Sequence, residues 1–372
     1  MKRIGIGALI IVFASIFFLR LNFMTFKERV EVGDIVQITA RVDAGRGQIE
    51  KINGKYPKKN LFFTVDKVED GHKVILGEVQ KIKISKWGAT YYLNSEEVIE
   101  NENFFKVFFR NRVNKMTEEY SIDLLLFFKA ILLGEGYLLA DDLKEMFRYT
   151  GAAHILVISG LHIGVIVSGV TYMLLKLNIP KRERYILALG ILTLYVLGIG
   201  RSPSVFRAYI MGSIYLLSNI FYEKASTKKS FFIAFILSLI IYPTWIYTIS
   251  FWMSYIAVFS IVFIYEKIPK IKKFKKDFVN KILNAMVLSL TIQLCMTPIF
   301  YLFFKNLPLF SFLSNIILIP IASLVVITSF IALFLSNFYL EFLIMPVLNL
   351  SYIFLIEVVT ILNQIPYLTL EL

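Results

Sequence analysis

Cysteine and histidine are scarce in this chain of 372 residues, which contains one cysteine and three histidines. The single Cys295 excludes an intramolecular disulfide. His154 and His162 are eight residues apart, or about 80° on an ideal helix, with neither cysteine nor carboxylate beside them, so we predict no metal site and no cofactor. No glycine-rich phosphate-binding loop is present, so the sequence shows no ATP-driven motor of its own.

Acidic residues are also few, since 27 Asp and Glu against 40 Lys and Arg give a net charge of +13. Residues 28–100 are neutral, with 12 basic and 12 acidic side chains, whereas residues 151–372 carry 17 basic and 7 acidic ones. The excess charge therefore belongs to the part of the chain with long apolar runs, and short cytoplasmic loops of membrane proteins are rich in Lys and Arg. Nucleic-acid binding is the alternative explanation of the same excess.

Long apolar runs dominate the sequence, which is 57% hydrophobic, and they predict a mainly α, polytopic membrane helix bundle. Residues 1–27 are expected to form an uncleaved anchor, because Lys2 and Arg3 precede an apolar run that no small-residue cleavage site follows. Residues 103–150 predict amphipathic helices at the membrane interface, and residues 151–372 form the main helical domain. With the anchor, about nine spans are expected, some broken or re-entrant: 152–177, 185–200, 205–222, 230–248, 250–265, 282–303, 309–335 and 338–363.

Residues 28–102 differ from the rest of the chain and predict a small external β-barrel with an OB-like fold. Alternating apolar and polar residues indicate five short strands, at Ile35–Val42, 48–52, 61–68, 73–84 and 89–93. Asn53-Gly54 has the composition of a tight hairpin turn. Basic side chains here are candidates for contact with nucleic-acid phosphates, although a solvated face explains them equally well: Arg46, Lys51, Lys58, Lys59, Lys81 and Lys83.

The charged loops indicate how the chain is inserted in the membrane. With Met1 in the cytoplasm, the alternation of spans places the basic loops around Arg182, Lys228 and Lys270 in the cytoplasm. This is the arrangement that the positive-inside rule requires. The barrel and Leu372 are then expected outside.

A group of polar and small residues interrupts the first long apolar segment of the main domain, where lipid offers no hydrogen-bond partner. Its members are His154, Ser159, Gly160, His162 and Gly164. Ser159 and His162 are three residues apart and can hydrogen-bond, so an intramembrane serine hydrolase is one alternative. Another is that Gly160 and Gly164, spaced as Gly-x-x-x-Gly, serve only the close packing of helices.

A second polar group comprises Arg201, Ser204 and Arg207, and it lies where Gly and Pro break the chain between two spans. Because arginine side chains face lipid at high cost, they either line a polar path or extend to the outer interface. Asn315, in a later span, is a candidate for the same path. Pro320 is expected to break its helix.

Two motifs resemble the ComEC-type competence family, the membrane channel for DNA uptake in bacterial transformation. The first comprises Ala130-Ile-Leu-Leu-Gly-Glu135, Thr150-Gly-Ala-Ala-His154 and Ser159-Gly-Leu-His162, and the second is Arg201-Ser-Pro-Ser-Val-Phe-Arg207. That family also carries an OB-like domain after its first span. The resemblance therefore covers nearly the whole chain.

The resemblance implies passage of single-stranded DNA across the bacterial cytoplasmic membrane by a channel rather than an enzyme, with the polar residues above along its path. Implied partners are single-stranded DNA, membrane lipid, an external DNA receptor, a separate nuclease and a cytoplasmic ATP-driven motor. Many members continue into a metallo-β-lactamase-like domain, but the sequence holds no His-x-His-x-Asp-His motif, so the form lacking that domain is expected. A secondary transporter or channel for a smaller anion is the alternative.

Overall fold

The fold is described by a computed structural model, which divides into two compact units. It describes residues 13–22, 24–26, 30–42, 46–57, 61–65, 71–85, 88–100, 104–199, 202–271, 277–304, 306–308, 310–365 and 369–371. The first unit comprises Met1–Asn103 with Ile236–Thr248, and the second comprises Phe104–Phe235 with Ile249–Leu372.

The first unit contains a closed five-stranded barrel. It begins with the helix α1 (Phe13–Asn22) and a short parallel pair of strands, β1 (Thr25–Phe26) and β4 (Tyr56–Pro57). The barrel strands are β2 (Ile35–Val42), β3 (Arg46–Ile52), β5 (Leu61–Val65), β6 (Gly71–Ser85) and β7 (Gly88–Glu100). Their order around the barrel is β2-β3-β5-β7-β6, with β6 pairing back to β2. The pair β5–β7 is parallel, and the other neighbours are antiparallel.

Alternation along the strands builds the core of the barrel, because successive side chains of a strand point to opposite faces. Ile38, Ile52, Phe63 and Ile75 are at most 1% exposed. The five predicted strands are present. The predicted turn is also confirmed: Asn53 and Gly54 have φ of +48° and +75°, and Ile52 and Lys55 exchange backbone hydrogen bonds across it.

The second unit is helical. Its helices are α2 (Phe104–Met116), α3 (Ile122–Leu133), α4 (Asp141–Tyr149), α5 (Gly160–Lys176), α6 (Lys181–Ile199), α7 (Pro203–Ile220), α8 (Thr227–Ile241), α9 (Ile249–Phe259), α10 (Asp277–Ile299), α11 (Ser311–Leu335) and α12 (Met345–Asn363). The last residues of α8, from Ile236, belong to the first unit. The short strands β8 (Asn306–Leu307) and β9 (Leu370–Glu371) pair antiparallel.

The short helix α3 lies at the centre of the largest apolar core. Leu124, Phe127, Phe128 and Leu132 on α3 are at most 1% exposed, and they pack in one cluster with residues of α11 and α12. Ser121 caps the start of α3 through a hydrogen bond from Leu124 N, and Gly134 ends it with φ of +73°. A second cluster joins α5, α6 and α7. These two clusters hold the polar residues described below in fixed positions.

Four helical segments of the described residues are long and apolar enough to cross a membrane: Ile249–Lys267, Asp277–Phe304, Ser311–Phe338 and Met345–Asn363. The first three consist of α9, α10 and α11 with the π or 3₁₀ turns that directly follow them. Shorter apolar helices lie at Phe13–Asn22 and Gly160–Lys176. The protein is therefore a membrane protein.

Several predicted boundaries were wrong for local reasons. The span predicted at 152–177 begins as a helix only at Gly160, and the one predicted at 230–248 ends at Ile241, before Pro243. Pro320 does not break its helix, because α11 continues through it to Leu335.

Candidate functional site

The first motif forms a break before α5 and the first turn of that helix. Residues Ala153–Leu156 make a 3₁₀ turn, and Val157 and Ser159 have extended backbones. The helix starts at Gly160, directly after its cap Ser159. The first backbone N–H groups of α5 therefore lack the intrahelical partners that a continuous helix would supply, and Gly160 at this helix start is exposed.

Ser159 and His162 form a reciprocal cap on this helix start. Ser159 Oγ accepts from Leu161 N (3.2 Å), and His162 Nδ1 accepts from the backbone Ser159 N (3.1 Å). Ser159 Oγ also lies 3.2 Å from His162 Nδ1. The predicted Ser159–His162 hydrogen bond is confirmed, and its geometry is that of a capping box in which histidine replaces the usual Glu or Gln.

His162 keeps an unused donor inside the protein. Because Nδ1 accepts a hydrogen bond, the neutral ring carries its proton on Nε2. The side chain is 1% exposed, and Nε2 has no hydrogen-bond partner among the described residues. The ring lies edge-on to Phe330 of α11, with centroids 6.4 Å apart.

The second motif starts α7. Ser202 caps the helix, accepting from Val205 N at 3.3 Å, and Pro203 occupies the first helical position, where its missing N–H costs nothing. Ser204 is half-buried in the first turn. Arg201 lies outside the described residues.

Arg207, one turn further along α7, is buried in the helical unit. It is 7% exposed, so its side chain is enclosed by protein. Its guanidinium lies over the ring of Tyr255 in α9, 5.9 Å from the centroid. Its Nη2 lies 3.8 Å from where a Cβ on Gly160 would stand. Nε and Nη1 have no hydrogen-bond partner in the part of the chain that the structure describes.

The approach of the Arg207 guanidinium to the N-terminus of α5 is electrostatically unfavourable without an anion. A helix N-terminus carries about +0.5 elementary charge, and Arg207 adds a full positive charge beside it. No described carboxylate forms a salt bridge with Arg207.

Three further predicted path residues have their own local surroundings. His154 is exposed in the 3₁₀ turn, off the axis of α5. Gly164 has no atom within 4 Å of its Cβ position, so the close packing proposed for the Gly-x-x-x-Gly pair is wrong at this residue. Asn315 donates to Ser289 Oγ at 3.4 Å and thereby joins α11 to α10.

Three of the predicted basic residues of the barrel have side chains that the structure describes. Lys51 lies over Tyr56 (5.0 Å to the ring centroid), Lys81 lies over Tyr92 (5.9 Å), and Lys83 is exposed. Lys58 and Lys59 lie outside the described residues, as does the side chain of Arg46.

An ion pair inside the helical unit was not anticipated from the sequence. Arg110 of α2 pairs with Glu135, which follows α3 and is 0% exposed. Glu135 also interacts electrostatically with Lys129. The Gly134-Glu135 sequence after an apolar helix was visible in the first motif, but its partner is 25 residues away and nothing local indicates it.

Comparison with known proteins assigns the chain to a family. Residues 131–372 match the family model described as "Competence protein". "ComE operon protein 3" of Bacillus subtilis is 26% identical over 192 residues, which cover 52% of this chain and 24% of that protein. "Recombination protein 2" of Haemophilus influenzae is 29% identical over 226 residues, which cover 57% of this chain and 28% of that protein.

A protein of Aquifex aeolicus described as "Uncharacterized protein" is 26% identical over 231 residues, covering 61% of this chain and 54% of that protein. The chain thus spans from about a quarter to about half of these relatives. No solved structure matches it significantly. Because the family model covers well over half of the chain, this protein belongs to the competence protein family.

Proposed function

We propose that this protein passes single-stranded DNA across the bacterial cytoplasmic membrane during DNA uptake for transformation. The observation that carries the proposal is the buried Arg207 beside the N-terminus of α5, with two of its nitrogens unpartnered among the described residues. A charged strand needs compensating positive groups along its way, because desolvating each phosphate in an apolar bore is very costly. Membership of the competence family supports the same role.

We propose that the barrel is of the OB type and receives the strand before it enters the helical unit. Numbered along the barrel alone, the strands follow a closed 1-2-3-5-4 order with one parallel pair, which supports that assignment. OB barrels bind single strands through basic and aromatic side chains. Lys51 over Tyr56 and Lys81 over Tyr92 are such pairs.

We propose about nine spans, a cytoplasmic N-terminus, and an external barrel and C-terminus. The distribution of Lys and Arg among the loops supports this orientation. An external DNA receptor, a separate nuclease and a cytoplasmic ATP-driven motor are then the partners that such a channel requires.

The orientation is tested by cysteine labelling, for which the single Cys295 is convenient. In a Cys295→Ser background, Glu78→Cys in the barrel and Ser226→Cys before α8 are both exposed positions. We expect a membrane-impermeant maleimide added to intact spheroplasts to label Glu78→Cys and not Ser226→Cys, with both labelled after lysis. The reverse pattern would show that the orientation is inverted.

The function is tested by deleting the gene in its host under conditions of competence. We expect double-stranded DNA to bind the cell surface normally, while entry of a labelled strand into the cytoplasm and transformation are abolished. Electroporation of the same DNA controls for recombination. Unchanged transformation of the deletion strain would refute the proposal, and a specific defect in uptake of a small anion would favour the alternative transporter.

A further inference from the structure

We infer that Arg207 and the first turn of α5 bind one phosphodiester group of the passing strand. This inference rests on the proposed function, and it names the chemical group that the site receives. It concerns the backbone of the strand and not its bases.

The positions of the two elements favour an anion beside them. The guanidinium of Arg207 approaches the first residue of α5, Gly160, where the positive end of the helix dipole lies. Two like charges in an apolar setting repel each other more strongly than in water. Breaking or leaving unpaired a buried charge is strongly unfavourable, so a site built this way is stable when it holds a negative charge.

The donors also suit the two free oxygens of a phosphodiester. Nη2 is the nitrogen of Arg207 that faces Gly160, and the buried Nε and Nη1 on either side of it have no partner among the described residues. In a guanidinium, Nη2 forms a planar fork with Nε or with Nη1, and such a fork matches phosphate geometry. Helix N-termini are recurrent phosphate sites for the same electrostatic reason. Gly160 has no side chain, so the backbone of α5 stays accessible from the Arg207 side.

Among the described residues, Arg207 supplies one positive side chain, which balances the charge of one phosphodiester monoanion. His162 Nε2, two residues beyond Gly160, is a further buried donor without a partner among the described residues. The guanidinium also lies over the ring of Tyr255, a cation–π contact that stabilises its position. These groups read charge and shape, and we expect every base sequence to be accepted.

The test measures binding of fluorescent oligothymidylate to the full chain in detergent, by anisotropy. The comparison probe is oligothymidylate in which methylphosphonate linkages replace the phosphodiesters, which removes the charge and keeps the bases. Each is measured with the wild-type protein, with Arg207→Gln and Arg207→Lys, and with the control Arg182→Gln in the exposed first turn of α6.

We expect wild-type protein and Arg182→Gln to prefer the charged strand. Arg207→Gln should bind the charged strand about tenfold or more weakly, as expected for the loss of charge-assisted hydrogen bonds, while its affinity for the neutral strand is unchanged. Arg207→Lys keeps the charge but loses the fork, so an intermediate loss is expected. Should Arg207→Gln fail to fold, Arg207→Lys decides the question, and wild-type affinity in that variant would overturn the inference.

The inference would also be overturned if Arg207→Gln lost affinity equally for the charged and the neutral strand, or lost affinity for neither. A phospholipid headgroup carries the same phosphodiester, so phosphatidylglycerol is titrated as a competitor. If phosphatidylglycerol displaces the strand from wild-type protein and not from Arg207→Gln, the site binds a lipid headgroup. These outcomes are independent of the gene deletion: undiminished DNA entry without the gene refutes the proposed function, whereas normal strand preference in Arg207→Gln refutes only the phosphodiester site.

Discussion

Replacing Gly151 with alanine is expected to prevent stable folding of the helical unit. Gly151 follows α4 with φ of +72°, and its N–H bonds to Arg148 O at 3.0 Å. A Cβ at this position would overlap Cβ of Ser311, the first residue of α11. The left-handed backbone costs a residue with a Cβ about 1–2 kcal/mol, and overpacking typically adds about 1–3 kcal/mol. The measurement is the unfolding temperature in detergent and the fraction of monodisperse protein after purification.

A matched change in the same unit separates this effect from a general intolerance of alanine. Gly164→Ala places the same methyl group where no atom lies within 4 Å, inside a helix that prefers alanine to glycine by about 0.5–1 kcal/mol. We expect it to leave stability unchanged or slightly raised. The double variant Gly151→Ala with Ser311→Gly should regain the stability lost to the overlap with Ser311 Cβ. It should keep the loss that comes from the left-handed backbone at residue 151. Wild-type stability of Gly151→Ala would show that the α4–α11 contact is wrong.

Replacing Arg110 with methionine is expected to destabilise the protein by about 3 kcal/mol, at the lower end of the range for breaking a buried ion pair. The change leaves the carboxylate of Glu135, which is 0% exposed, without its guanidinium partner. Lys129 also interacts with Glu135, and this keeps the expected loss at the lower end. Chemical unfolding in mixed micelles measures the free energy of unfolding.

The double variant Arg110→Met with Glu135→Leu distinguishes a missing charge partner from lost packing. Apolar replacement of both partners of a buried pair is often neutral, so we expect the double variant to regain most of the loss. Lys144→Met, which removes an exposed pair with Asp141 at 3.0 Å, should cost less than about 1 kcal/mol. If the double variant is less stable than Arg110→Met, the pair does not explain the effect.

The order of helices and strands was accessible from the sequence because it depends on local periodicity. The apolar runs predicted membrane helices, and alternation predicted the five strands of the barrel. The Asn53-Gly54 turn was predicted by composition alone, because both residues tolerate positive φ. Helix ends were less accessible: α5 begins at Gly160 because Ser159 and His162 cap it, and the apolar run around them gave no sign of that start.

For the candidate site too, the sequence indicated the residues but not the contacts between them. Ser159, His162 and Arg207 were identified because polar residues in apolar segments are costly and therefore informative. The sequence could not indicate that Arg207 turns inward, onto Gly160 and Tyr255. Those relations join α5, α7 and α9, elements separated by tens of residues.

The class of protein, its division into a barrel and a helical part, and its family could all be inferred from the amino-acid sequence. Each follows from composition, periodicity or motif, which are properties of neighbouring residues. Three further relations became visible in the folded chain alone: α3 lies in the core, Glu135 pairs with Arg110, and Arg207 meets the start of α5. These are contacts between distant segments, and packing of the whole unit selects them, since many pairings satisfy the same local pattern.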